Sequence, residues 1–325
     1  ALTGDGATLF NTGDVGFWMY IAAVLNQIGG LALGLLVPAL AGLLPLRPAP
    51  RARRPLPNHS PSHSAERRKE NRHMAQLDTT VRDGIGIITL NNPDALNAWT
   101  QKMQRSMIVA LKELDANDDV AGIVITGEGE RAFCAGQDLK EVAAFTEDHV
   151  EEWLDTFHRV YDAVLSTTKP VIAALNGVTA GSGYQLALLC DLRIAHDGVR
   201  IGQPEVRSGI PSITGMYLTW QSLGHSKTAE LMLTGRLMDA EEARGLGLIA
   251  ELRPQAEVLP RAIEIASELA ALPRHAFTLT KQRIRETLMP GLEDAFRAAL
   301  AADQKAYGDG EPQKTAGDFV AKKGA

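Results

Sequence analysis

Between Pro170 and Asp191 the chain reads PVIAALNGVTAGSGYQLALLCD, and these residue types in this order could hold a developing negative charge. Val171 to Leu175 is a short apolar, β-branched run, Asn176-Gly177 is turn chemistry, and Gly181-Ser182-Gly183 leads into a helix. The first N–H groups of a helix have no acceptor within it, so the Ser182 amide is a ready anion site. An oxygen that gains negative charge during a reaction would be stabilised there. Two other readings of the same glycines are weaker. A hydrolase nucleophile elbow needs G-x-S-x-G, whereas Ala180 and Tyr184 stand at its outer positions. A dinucleotide fingerprint needs its last glycine where Leu186 stands.

The elements that would position this turn can be read outward from it. Leu77 to Arg82, Asp83-Gly84 and Ile85 to Leu90 form the pattern of a β-hairpin with a two-residue turn. Thr100 to Asn117 carries Met103, Met107, Leu111 and Leu114 at helical spacing, with Thr100 as a plausible N-cap. Val120 to Thr126 is a strand, and a loop through Arg131 to Asp138 leads to helical sequence up to Thr167. Then come the strand Val171 to Leu175, the helix from Ser182 and a strand over Asp191 to Ala195, with mostly helical sequence from Ser226 onward. Alternating strands and helices predict an α/β layered core of repeated strand-strand-helix units. The last part, 253–325, is expected to hold amphipathic helices separated by Pro254, Pro273, Pro290 and Pro312. Such an arm needs a surface to pack on, and oligomerisation is expected.

Composition sets further limits. The 325 residues suffice for one large domain or two. From residue 74 onward there are 25 Lys/Arg against 35 Asp/Glu, a net −10, which argues against a nucleic-acid surface. The only cysteines, Cys134 and Cys190, read as reduced core thiols and fit a reducing compartment. No metal-ligand spacing accompanies them.

Residues 1–73 differ from the rest. Val15 to Leu46 has no charged residue in 32 positions, longer than the roughly 20 needed to cross a bilayer, and Arg47, Arg51, Arg53 and Arg54 follow. By the positive-inside rule that flank would stay in the cytoplasm. From Pro48 to Arg72 the Pro/Arg/Ser/His mixture reads as disordered. The favoured expectation is a mis-assigned start, with the protein beginning at Met74. The alternative is a membrane tether through residues 15–46. The expected domains are therefore 1–73, a core over 74–252 and a helical region over 253–325, in a cytoplasmic protein.

Three loops belong together: Ala132-Phe-Cys-Ala-Gly-Gln-Asp-Leu-Lys140, Gly181-Ser-Gly-Tyr-Gln185 and Ile201-Gly-Gln-Pro-Glu-Val206. With Pro93-Asp-Ala-Leu-Asn-Ala98, Lys169 to Gly177, Leu233-Thr-Gly-Arg236 and Glu242 to Ile249, they make the chain from about Leu77 onward resemble the crotonase superfamily, the enoyl-CoA hydratase/isomerase family. The resemblance implies a crotonase (ClpP/crotonase-like) fold of ββα superhelical repeats with a C-terminal helical trimerisation region. It also implies a homotrimer or homohexamer that binds acyl-CoA, with coenzyme A as part of the substrate and no metal or other cofactor.

The resemblance further implies roles for individual residues. The oxyanion hole maps to the backbone amides of Gln137 and Ser182, and the CoA contacts to Ala95, Ala135, Gln137, Leu139 and Lys281. Glu205, which alone would read as a solvated loop carboxylate, falls on one of the family's two catalytic glutamates. The other position holds Gln185, which can hydrogen-bond a water but cannot take its proton. Family isomerases manage with one glutamate at the Glu205 position, so the implied reaction leans to enoyl-CoA double-bond isomerisation. The alternatives are an enoyl-CoA hydratase of fatty-acid or carboxylic-acid degradation and a catalytically weakened CoA-binding protein. RNA binding, known in a few relatives, conflicts with the net −10.

Other residues read as structural. Asp138 is expected to cap a helix, His196 to be a surface residue at a strand end, and Tyr217 and Trp220 to pack. Tyr184 and Pro211-Ser-Ile-Thr-Gly215 are expected to reshape the acyl pocket.

Overall fold

A computed structural model describes residues 72–74 and 76–323. The apolar run 15–46, and with it the tether expectation, lies outside them. Among the described residues no helix is long and apolar enough to cross a membrane.

The hairpin forms as expected. β1 (Arg72–Met74), β2 (Leu77–Arg82) and β3 (Ile85–Leu90) run antiparallel, so β1 starts two residues upstream of the boundary read at Met74. Asp83 and Gly84 turn the chain at φ 52° and 78°, the left-handed pair that matches the twist of a tight hairpin. After α1 (Gln101–Ala116) come β4 (Gly122–Gly127), β5 (Ala132–Cys134), α2 (Leu139–Ala144) and α3 (Val150–Ser166). Thr100 caps α1 by accepting from the Met103 amide, and Asp138 caps α2 by accepting from Lys140. β6 (Val171–Leu175), β7 (Val178–Ala180) and α4 (Ser182–Leu189) form the strand–turn–helix, and β8 (Leu192–Ala195) and β9 (Arg200–Gly202) follow.

Two sheets result. The larger has the order β1-β2-β3-β4-β6-β8 and ends on β11 (Glu251–Leu252); the smaller pairs β10 (Leu237–Asp239), β9, β7 and β5. From β3 onward the large sheet is parallel, and its central strands are buried on both faces, which explains their continuous apolar runs. Val124, Ile172, Ala174 and Ile194 meet Val258, Ala262 and Ile265 of α7 (Gln255–Ala270) on one face. Ile123, Ile125, Val171 and Ala173 join the main core on the other, with Met103, Met107 and Leu111 of α1. β10 and β11 interrupt the stretch after Ser226 that the sequence suggests is helical.

The remaining helices are α5 (Ile213–Thr234, broken at Gly224), α6 (Ala240–Gly245), α8 (Arg274–Gly308) and α9 (Glu311–Lys323). Pro290 does not divide the C-terminal region as expected; α8 runs through it for 35 residues. Packing explains why the lost backbone bond is tolerated. A side chain on the neighbouring Gly291 would collide with the Tyr217 ring, and the Tyr217 hydroxyl donates to the Leu288 carbonyl at 2.9 Å, so α5 braces α8 at the proline.

Candidate active site

The turn before α4 is built around close contact. A Cβ on Gly183 would lie 2.3 Å from the Cys134 carbonyl oxygen, so only glycine lets the start of α4 press onto the end of β5. Gly181 has φ 57°, and a Cβ there would lie 3.2 Å from Glu205 Oε1 and 3.4 Å from Gly136 Cα. The Gly136-Gln137 loop, the Gly181-Ser182 turn and the Glu205 carboxyl therefore converge. All line one cavity of about 90 Å³.

Both expected residues line this cavity, and neither backbone amide has an acceptor among the described residues, for separate reasons. Ser182 is the first residue of α4, so its N–H has no acceptor within the helix, and the positive end of the helix dipole lies there. Gln137 pairs with Trp99 in a parallel bridge whose hydrogen bonds run from Trp99 N to the Gly136 carbonyl and from Asp138 N to the Trp99 carbonyl. In that pattern the Gln137 amide turns away from Trp99. Its side chain is anchored elsewhere: Oε1 accepts from Gln104 and Trp153, and Nε2 donates to Glu141 at 2.8 Å. Among the described residues, the Ser182 hydroxyl is buried without a partner, and no histidine lines the cavity to activate it as a nucleophile.

Glu205 opens a 3-10 turn after β9 and is half-buried as a residue, with its carboxyl inside the cavity. Burial pushes its pKa up to about 7; Ser212 and Gln203 lie close enough to offset part of this without completing hydrogen bonds. Gln185 is fixed by three contacts. Its Oε1 accepts from the Tyr161 and Thr214 hydroxyls, each at 2.8 Å, and its Nε2 turns to Glu205 Oε1 at 3.5 Å. An amide turned the other way would set its oxygen against the carboxylate. Tyr161 cannot easily ionise in this setting, because burial and the Glu205 charge both raise its pKa.

Not every expected residue joins the cavity. Ala135, Gln137 and Leu139 line it; Ala95, at the end of a 3-10 turn, does not. Lys281 corrects the expectation of a CoA contact. It is buried, donates to the Lys169 carbonyl at 2.9 Å and pairs with Asp191 at 2.7 Å, so its ammonium is engaged inside the fold. Tyr184 is fully buried and accepts from the Thr219 hydroxyl rather than shaping the cavity, whereas Pro211 and Thr214 do line it. His196 is buried, with Nδ1 accepting from the Gly198 amide, and is not the surface residue expected. Trp220 is substantially exposed, while Tyr217 packs as expected. Both cysteines are buried and unpaired, and burial pushes each thiol up to about 12.

Sequence reading overlooked part of the cavity wall. Phe296, Ala299 and Asp303 of α8 line the cavity together with the glycine turn, and Tyr161 and Thr214 set Gln185. A sign for Asp303 was present. It is the one acid on an apolar stripe that recurs every three or four residues.

A family model described as enoyl-CoA hydratase/isomerase matches residues 80–323. The chain is 36% identical to the Bacillus subtilis hydratase/isomerase-family protein YngF over 239 residues, 73% of this chain and 90% of that one. It is 31% identical to the short-chain-enoyl-CoA hydratase of Clostridium acetobutylicum over 226 residues, 69% and 85% of the two chains. Among solved structures, an enoyl-CoA hydratase/isomerase from Xanthobacter autotrophicus superposes with a TM-score of 0.69 at 27% identity, covering 77% of this chain and 94% of that one. The human mitochondrial delta3-delta2-enoyl-CoA isomerase shares the fold, with a TM-score of 0.70 at 21% identity over 76% of this chain and 98% of that one. With two amides beside one raised carboxyl on a matching fold, this chain belongs to the enoyl-CoA hydratase/isomerase family, within the crotonase superfamily.

Proposed function

We propose that the enzyme moves the double bond of an enoyl-CoA thioester, with Glu205 taking the α-proton and the Gln137 and Ser182 amides holding the resulting enolate oxygen. The observation that carries this reading is the orientation of Gln185. With its oxygen occupied by Tyr161 and Thr214, it faces Glu205 as a donor and offers no base for a water. Gln185 thus does not supply the second carboxylate that hydration through positions 185 and 205 would use, which supports proton transfer between carbons, a step that needs only a base and a held enolate. A pKa of about 7 suits Glu205 to both taking and returning a proton near neutrality. The acyl-CoA substrate follows from the relatives named for enoyl-CoA, and trimeric or hexameric assembly remains part of the same proposal.

The name of the Clostridium acetobutylicum relative favours a second reading, hydration of a 2-enoyl-CoA. Incubating the protein with 3-enoyl-CoA and 2-enoyl-CoA in heavy water separates the two. Isomerisation with deuterium entering the chain is expected, and Glu205→Gln should slow it about 10³-fold. A 3-hydroxyacyl-CoA as the dominant product would establish hydration instead.

A further inference from the structure

The buried positions of α8 include Leu292, Ala295, Phe296, Ala299, Asp303 and Tyr307, a stripe turned toward the core. Asp303 alone among them carries a carboxyl. It is 2% exposed, its Oδ1 has no hydrogen-bond partner, and it lines the same cavity as Glu205. Among the described residues, no lysine or arginine lines that cavity to neutralise it. An acid buried without a partner costs stability, and the fold gains no visible contact in return. A use in the cavity accounts for its presence.

We propose that Asp303 is a second catalytic residue, giving a proton to the γ-carbon of the acyl chain while Glu205 takes one from the α-carbon. The proposal rests on the isomerisation reading above. As the α C–H bond of a 3-enoyl thioester breaks, its proton forms an O–H bond on Glu205, and the electron pair spreads into a dienolate held by the two amides. The pair at the γ-carbon then forms a C–H bond with the Asp303 proton, leaving Asp303 ionised and Glu205 protonated. One proton returned from Glu205 to Asp303 through solvent resets the site, with no oxidant or reductant involved. Burial and the Glu205 charge push Asp303 up to about 8, so it holds a proton to give near neutrality. Tyr307 is held neutral by burial and by the Asp303 and Glu205 charges, and Tyr161 by burial and the Glu205 charge.

The test compares two reactions of the full chain in heavy water: α-hydrogen exchange of butyryl-CoA, which needs only Glu205 and the amides, and isomerisation of 3-hexenoyl-CoA, which needs both carboxyls. Asp303→Asn is expected to lower isomerisation about 100-fold or more while α-exchange persists, with Asp303→Glu recovering part of the loss. Asp303→Ser should give the same split if Asp303→Asn folds poorly. Equal loss of both reactions in folded variants would make Asp303 structural, and an unaffected isomerisation would make it idle; either overturns the assignment alone. A wild type without isomerisation, or one that Glu205→Gln leaves unaltered, would instead remove the reading on which the assignment depends.

Discussion

Two regions of this protein bury charge in opposite ways. Beneath β6, Lys281 is enclosed with its ammonium on Asp191 and the Lys169 carbonyl, and Asp191 also accepts from the Val171 amide at 2.7 Å. In the cavity, Glu205 and Asp303 are enclosed with no cation among the described lining residues, and both carboxyls are raised. The first arrangement is complete and joins α8 to the start of β6. The second is incomplete by the standard of a folded interior, where buried charges are paired. Matched charge here holds elements together; unmatched charge lies where substrate chemistry is expected.

The comparison can be broken first at Asp303. A carboxyl raised from 3.8 to about 8 keeps its proton in the folded state after the unfolded chain has lost it. Its contribution to stability is fully present below about pH 4 and is lost as pH rises toward 8, by up to about 1.4 kcal/mol per pH unit. Asp303→Asn lacks this slope, so its stability relative to wild type should grow between pH 4 and 8. Urea midpoints across that range would measure this, and a constant difference would mean that Asp303 is not held as a neutral acid.

At the matched pair the expected sign is the reverse. Lys281→Met leaves Asp191 without its cation and should cost about 3 kcal/mol at neutral pH, read as a lowered urea midpoint. A loss within about 0.5 kcal/mol, as for surface substitutions, would show that the pairing is no brace.

The smallest effect sharpens the contrast within the cavity. α-Exchange should rise about tenfold per pH unit below about 7 and level off above it, as Glu205 ionises. Isomerisation should rise with it and then fall above about 8, because it also needs Asp303 protonated. These inflections belong to the coupled pair rather than to either residue alone. Parallel profiles for the two reactions would argue that one carboxyl does all the work.

Much of the frame was legible in the residues because its signals are local. Asp83-Gly84 imposes a hairpin, Met103, Met107, Leu111 and Leu114 mark a helix face, and Gly181-Ser182-Gly183 marks a backbone opening at a helix start. Pro290 misled because the penalty of a proline inside a helix is set by what braces it, and Tyr217 comes from another helix. Lys281 misled because a basic residue on a late helix reads the same whether it faces solvent or Asp191, 90 residues away.

The sequence by itself determined most of the elements from β2 to β8 and the glycines that let α4 approach β5, since each depends on the conformational range of residues close in the chain, while Glu205 was marked by the family resemblance alone. Only the tertiary structure decided which way Gln185 faces and that Asp303 shares a cavity with Glu205. Hydrogen-bond partners and dielectric surroundings are supplied by segments far apart in sequence, and these decide whether a polar side chain braces the fold or faces the cavity.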